Sequence, residues 1–129
     1  MAAQPVPTPS VAAVSGAPYS PAVRAGEWVV VSGQLGLDPA TGKLVEGGVE
    51  AEARQVVANL GGVLHDVGAA VTDVAKATVF VADLADFGTV NAVYAEFFGD
   101  HRPARSTVQV AALPLGGRVE VELWVHLPA

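Results

Sequence analysis

Between Gly26 and Gly33 the chain runs through four apolar residues, Trp28 to Val31, without a break. A short β-branched run bounded by glycines reads as a buried strand. After Val49 the spacing changes: Ala53, Val56, Val57, Leu60, Val63, Leu64 and Val67 recur at three- and four-residue steps. That spacing lays one apolar stripe along a helix over about 49–67, with Glu50 and Glu52 in its first turn and Gly68 as its C-cap. The stretch "VAKATVFVA" at 74–82 is β-branched and nearly all apolar, the pattern of a central strand. Val90, Val93, Tyr94, Phe97 and Phe98 share one face of a second helix over about 86–98, closed by Gly99. Strands over about 105–111 and 118–127 finish the chain. Strand, helix, strand, helix, strand, strand predicts an α+β domain with helices covering one sheet face.

Three stretches stand outside this pattern. Residues 1–16, rich in Pro, Ala and Ser, predict a flexible or extended arm before a domain at 17–129. "LDPATGKLVEGG" carries the Asp-Pro and Thr-Gly pairs of a loop. Gly61 and Gly62, inside the first helix, each cost about 1 kcal/mol relative to Ala. Such a pair predicts close packing against a neighbour.

Alternation in the last two strands sorts their side chains by face. Val119, Val121, Leu123 and Val125 form an apolar face, expected beneath the helices, and Arg118, Glu120, Glu122, Trp124 and His126 take the other. In the preceding strand Arg105, Thr107 and Gln109 share one side and Ser106, Val108 and Val110 the other. The polar groups are expected to gather on the helix-free side, which an oligomer could enclose as a cleft.

Composition supports an oligomer. Apolar residues make up 51% of 129 residues, rich for one small domain, and obligate interfaces resemble a core cut in half. No run of 18 apolar residues predicts a membrane span. Seven Lys and Arg against thirteen Asp and Glu leave a net charge of −6. Nucleic-acid binding is not expected without a basic footprint. With no cysteine, disulfides and thiolate chemistry are excluded. The N-terminus lacks the charged and apolar regions of a signal peptide, so the expected location is cytoplasmic.

Arginine suits a planar carboxylate because its rigid fork donates two parallel hydrogen bonds. A glutamate beside the bound ligand could activate water. On pattern alone Arg105 and Glu120 also read as a surface ion pair, Ser32 as a backbone fastener and Gly33 as a bulge. His65, His101 and His126 show no metal-ligand spacing, and His101 is expected to meet the carbonyls ending the second helix. Tyr94 and Phe97 read as helix core rather than a stacking platform. No P-loop, GxGxxG or GxSxG motif occurs.

The stretch "RPARSTVQVAALPLGGRVEVE" closely resembles the C-terminal signature of the RidA (YjgF-like) family of imine and enamine deaminases. "PYSPAV", "VVVSGQLGLDPATGKLVEGGVEAEARQVVANL" and "VAKATVFVADLADFGTVNAVYAEFFG" extend the likeness over about residues 17–128. The resemblance implies a chorismate-mutase-like α+β domain, with a mixed sheet of about six strands and two helices on one face. It also implies a homotrimer with sites between subunits and no cofactor. The implied reaction turns 2-imino acids such as 2-iminopropanoate and 2-iminobutanoate into 2-keto acids and ammonia. By position Arg105 would clamp the substrate carboxylate, Glu120 would activate water, and Tyr19, Ser32, Gly33, Asn91 and Thr107 would line the pocket. Thr107 stands where many members carry Cys, Ala17 where Gly is common and Pro21 where Gln is common. A second reading keeps the same cleft as a non-catalytic sensor of small carboxylates such as 2-keto acids.

Overall fold

A computed structural model describes residues 2–12 and 16–128. Six strands form one sheet in the order β1-β2-β3-β6-β4-β5. In chain order the elements are β1 (Gln4–Pro5), β2 (Ala22–Ala25), β3 (Trp28–Leu35), α1 (Gly48–Val67), β4 (Val74–Val81), α2 (Phe87–Phe98), β5 (Ala104–Gln109) and β6 (Val119–His126). Only β4 and β5 run parallel, across the α2 crossover; every other pair is antiparallel. This is the α+β, chorismate-mutase-like domain that the sequence and its resemblance predict.

Alternation puts the core where it was expected. Val29 and Val31 on β3, Ala77, Val79 and Val81 on β4, and Val119, Val121, Leu123 and Val125 on β6 are buried. Over them lie Ala53, Val56, Leu60, Val63 and Leu64 of α1 and Val90, Val93, Tyr94 and Phe98 of α2. Each such valine or leucine contributes about 1.5–3 kcal/mol by leaving water. Gly68 ends α1 in the left-handed conformation at φ 80°, its N–H reaching the Leu64 and His65 carbonyls.

Glu52, expected in the first turn of α1, is not a solvated residue there. It is buried, and Oε1 accepts a hydrogen bond of 2.8 Å from the Arg118 backbone N–H, tying α1 to the start of β6. Asn59 is a second tie, donating to the Leu35 and Leu37 carbonyls at 3.1 and 2.9 Å. The Asn59 tie holds the end of β3 and the loop beyond it against α1.

The neighbours that the two α1 glycines predicted are now identified. A Cβ on Gly62 would stand 2.8 Å from Cβ of Ser10, and one on Gly61 would touch Phe97 of α2 at 3.5 Å. Ser10 is fixed by Asp66, which accepts from its hydroxyl at 2.7 Å and its backbone N–H at 2.8 Å. Burial alone would raise the Asp66 pKa, but the Ser10 hydrogen bonds outweigh it and hold the carboxyl below its ordinary value. Before the main domain, Gln4–Pro5 adds strand β1 to the sheet edge and Val11 is buried in the core. Residues 13–15 of the expected arm lie outside the described residues.

His101 meets the end of α2 through its backbone N–H, which donates to the Phe98 carbonyl at 3.2 Å, but its ring turns elsewhere. Its ring Nε2 lies 2.8 Å from the Val74 carbonyl at the start of β4. The Arg102 guanidinium instead reaches the helix-end Gly99 carbonyl, where a cation complements the negative end of the dipole.

Candidate active site

The register of β5 separates the two charged groups. Arg105 pairs with Ala77 and Thr107 with Val79, while Ser106 and Val108 pair with Thr78 and Phe80. Directly paired residues project on the same side, so Arg105 and Thr107 lie on the helix-covered face. Glu120 pairs with Phe80 across β6–β4 and so projects from the opposite, helix-free face. The expectation that both gather on the helix-free side is corrected. Two strand spacings and three residues of offset separate them, about 14 Å even before the change of face is counted. One chain cannot aim both at the same small molecule.

Each group has its own cavity. Glu120 borders one of about 480 Å³ with Tyr19, Ser32, Gly33 and Leu115. Arg105 borders one of about 260 Å³ with Asn91, Tyr94 and Arg102. Four of the seven residues named from the sequence thus meet at the first cavity and two at the second. Thr107, on the Arg105 side, has an enclosed hydroxyl with no hydrogen-bond partner among the described residues.

A bulge shapes the Glu120 half. Between Val31 and Gln34 the β3–β6 register slips, with one extra residue on β3. A Cβ on Gly33 would come within 2.6 Å of Glu120 Cδ and 3.0 Å of Oε1. The missing side chain is the space in which the carboxylate rests. Ser32 fastens the rim: its hydroxyl donates to the Ser20 carbonyl at 2.6 Å and its N–H to the Pro21 carbonyl at 2.9 Å. That holds Tyr19, half-exposed, at the cavity mouth. Leu115 completes the rim with a left-handed backbone (φ 61°) and an exposed side chain. A non-glycine residue in that region costs about 1–2 kcal/mol.

Partial burial raises the Glu120 pKa, and the like charge of Glu122 on the same face raises it further. The opposite half is cationic. Arg105 is half-buried, and no carboxylate pairs with it among the described residues. Its guanidinium lies over the rings of Tyr94 and Phe87, 4.8 and 5.6 Å from their centroids. Tyr94, expected as core, is both core and platform. Phe87, Arg102 and Leu115 were not picked out as site residues. The seven-residue interval from Phe87 to Tyr94, two helical turns, was the available signal for the first of them.

A family model described as Endoribonuclease L-PSP matches residues 10–127, nearly the whole chain.

The chain belongs to this family, the RidA (YjgF-like) proteins.

The 2-iminobutanoate/2-iminopropanoate deaminase of Bos taurus is 54% identical over 81% of this chain and 77% of its own length. The human protein of the same name is 49% identical over the same shares. Among solved structures, RidA from the Antarctic bacterium Psychrobacter superposes with a TM-score of 0.89 at 42% identity, covering 96% of this chain and 99% of its own. The RidA likeness thus spans the β3 bulge, the β5 arginine and the β6 glutamate alike. No helix among the described residues is long and apolar enough to cross a membrane.

Proposed function

We propose that the protein hydrolyses small 2-imino acids and their enamine tautomers to 2-keto acids and ammonia. It does so in the cytoplasm, without a cofactor, as a homotrimer whose sites lie between subunits. The observation that carries this reading is the split of the site. An arginine with no carboxylate partner among the described residues and a carboxylate of raised pKa open on opposite faces of one sheet, so each needs its counterpart from another copy. The printed names of the bovine and human relatives supply the reaction.

The helix-free face is suited to association. Trp28 and Trp124 pack edge to face there with ring centroids 6.2 Å apart, and both are exposed, as is Val108. A neighbour covering this face buries apolar area that a lone chain leaves wet. The proposed trimer requires that the neighbour also bring its own β5 edge to the Glu120 cavity.

In the completed site Arg105 binds the substrate carboxylate through its N–H edge and fixes the imine carbon near Glu120. The protonated imine is already electrophilic. Glu120 takes a proton from water as the water oxygen bonds to the imine carbon, then returns one to nitrogen. Glu120 then takes the proton of the new hydroxyl as the C–N bond breaks and the C=O bond forms, ammonia leaves, and that proton passes from Glu120 to solvent. Ribonuclease activity fits poorly with a net charge of −6.

Base action requires ionised Glu120. Its raised pKa keeps the proton on to higher pH, so the acid limb of kcat/KM is expected above the ordinary glutamate value of about 4.3. Glu122→Gln removes a charge that raises that pKa, so it is expected to move the limb to lower pH. A limb that stays put counts against Glu120 as the base. The whole reading is tested by ammonia release from freshly generated 2-iminopropanoate. Release faster than in buffer, from a particle sedimenting at about three chain masses, is expected. A rate equal to buffer removes the enzyme reading.

A further inference from the structure

Arg105 has a feature that its role as a carboxylate clamp does not explain: what holds it still. A long side chain on an edge strand, with no ion pair, would lose rotamer freedom each time it bound a ligand. Here two rings of α2 lie under it. Phe87 and Tyr94 sit two turns apart on one helical stripe with Asn91 between them, and Asn91 and Tyr94 line the Arg105 cavity. The guanidinium carbon is 4.8 Å from the Tyr94 centroid and 5.6 Å from that of Phe87, both within cation–π reach.

We propose that Tyr94, with Phe87, is a positioning residue whose ring seats the Arg105 guanidinium and leaves its N–H edge free for the substrate carboxylate. Tyr94 is buried, so the seat itself is fixed by the core: its ring packs on Phe98 with centroids 4.6 Å apart. The interaction is with the ring and not with a phenolate. Burial raises the Tyr94 pKa, more than the Arg105 and Arg102 charges lower it, so the hydroxyl stays neutral. That hydroxyl is enclosed and has no hydrogen-bond partner among the described residues. Its removal should therefore cost nothing, whereas removal of the ring should loosen the arginine.

The proposal rests on Arg105 binding the carboxylate, as in the function proposed above, and its test separates the two. Tyr94→Phe and Tyr94→Leu are compared in the full-length protein by 2-iminopropanoate kinetics and by calorimetric binding of 2-oxopropanoate. Tyr94→Phe is expected to keep KM within about twofold and to melt no lower than wild type. Tyr94→Leu is expected to raise KM and Kd by about two- to thirtyfold with kcat little changed. If Tyr94→Leu fails to fold, Phe87→Leu, at an exposed ring, is expected to move KM and Kd in the same direction by less. Unchanged KM and Kd in the leucine variants, or equal damage in Tyr94→Phe, overturns the seat while leaving hydrolysis intact. Binding without turnover in wild type, still weakened by Tyr94→Leu, overturns the reaction and leaves the seat standing.

Discussion

Arg105→Ala is expected to lower kcat/KM for 2-iminopropanoate by about a hundredfold or more, while the trimer and the melting temperature stay close to wild type. The effect should be large because the guanidinium is the only cation at its cavity with no backbone carbonyl or carboxylate already bound to it among the described residues; Arg102, the other, is engaged at the Gly99 and His101 carbonyls. The cost to the fold should be small because β5 is an edge strand and the side chain is only half-buried. What the fold loses is the contact with two rings, about 0.5–1 kcal/mol each at partly exposed sites. Arg105→Lys keeps charge without the planar fork and should recover only part of the loss. Full activity in Arg105→Ala, measured by ammonia release, would remove the clamp.

Glu120→Gln is expected to lower kcat by about 10²–10⁴-fold, the range of a lost general base. It should do so without weakening the fold. The Glu120 pKa is raised in the folded protein, so its stabilising contribution is present below the unfolded value and lost as pH rises through the raised one. At pH 7 the ionised carboxylate is therefore a net strain on the fold, which an uncharged glutamine lacks. The melting temperature of Glu120→Gln at pH 7 is expected to equal or exceed wild type, with the advantage vanishing below about pH 4. An inactive variant that melts markedly lower at pH 7 would make Glu120 a structural group.

Much of this architecture was legible in the sequence because its signals were periodic. The alternation of Val119, Val121, Leu123 and Val125 gave β6 and its core face, and the three- and four-residue steps from Val49 gave α1 up to its Gly68 cap. The short strands were not legible. "AVRA" at 22–25 and "QP" at 4–5 carry no pattern of their own and are strands only because β3 offers β2 an edge to pair with and β2 in turn offers one to β1. The Gly61-Gly62 pair announced a close neighbour but could not name it, since Ser10 approaches from 52 positions earlier in the chain.

The site residues were legible by type and by resemblance, yet not their arrangement. Alternation groups Arg105 with Thr107 and apart from Val108, but it is silent on which group faces the helices. Hydropathy suggests Val108 inward, and the structure places it outward and exposed. Parallel pairing with β4 sets that choice, and at the sheet edge the stripe of Phe87 and Tyr94 gives the arginine a seat that a valine would not need. The β3 bulge is likewise a tertiary event: one glycine among fourteen in the chain becomes the resting place of a carboxylate from another strand.

The placement of Arg105 and Glu120 on opposite faces makes one measurement decisive. Purified Arg105→Ala and Glu120→Gln proteins, each inactive alone, are unfolded together, refolded as a mixture and assayed for ammonia release. If every site draws Arg105 from one subunit and Glu120 from the next, random trimers regain about a quarter of wild-type sites. A mixed preparation that assembles but stays as inactive as its parents would contradict a site shared between chains.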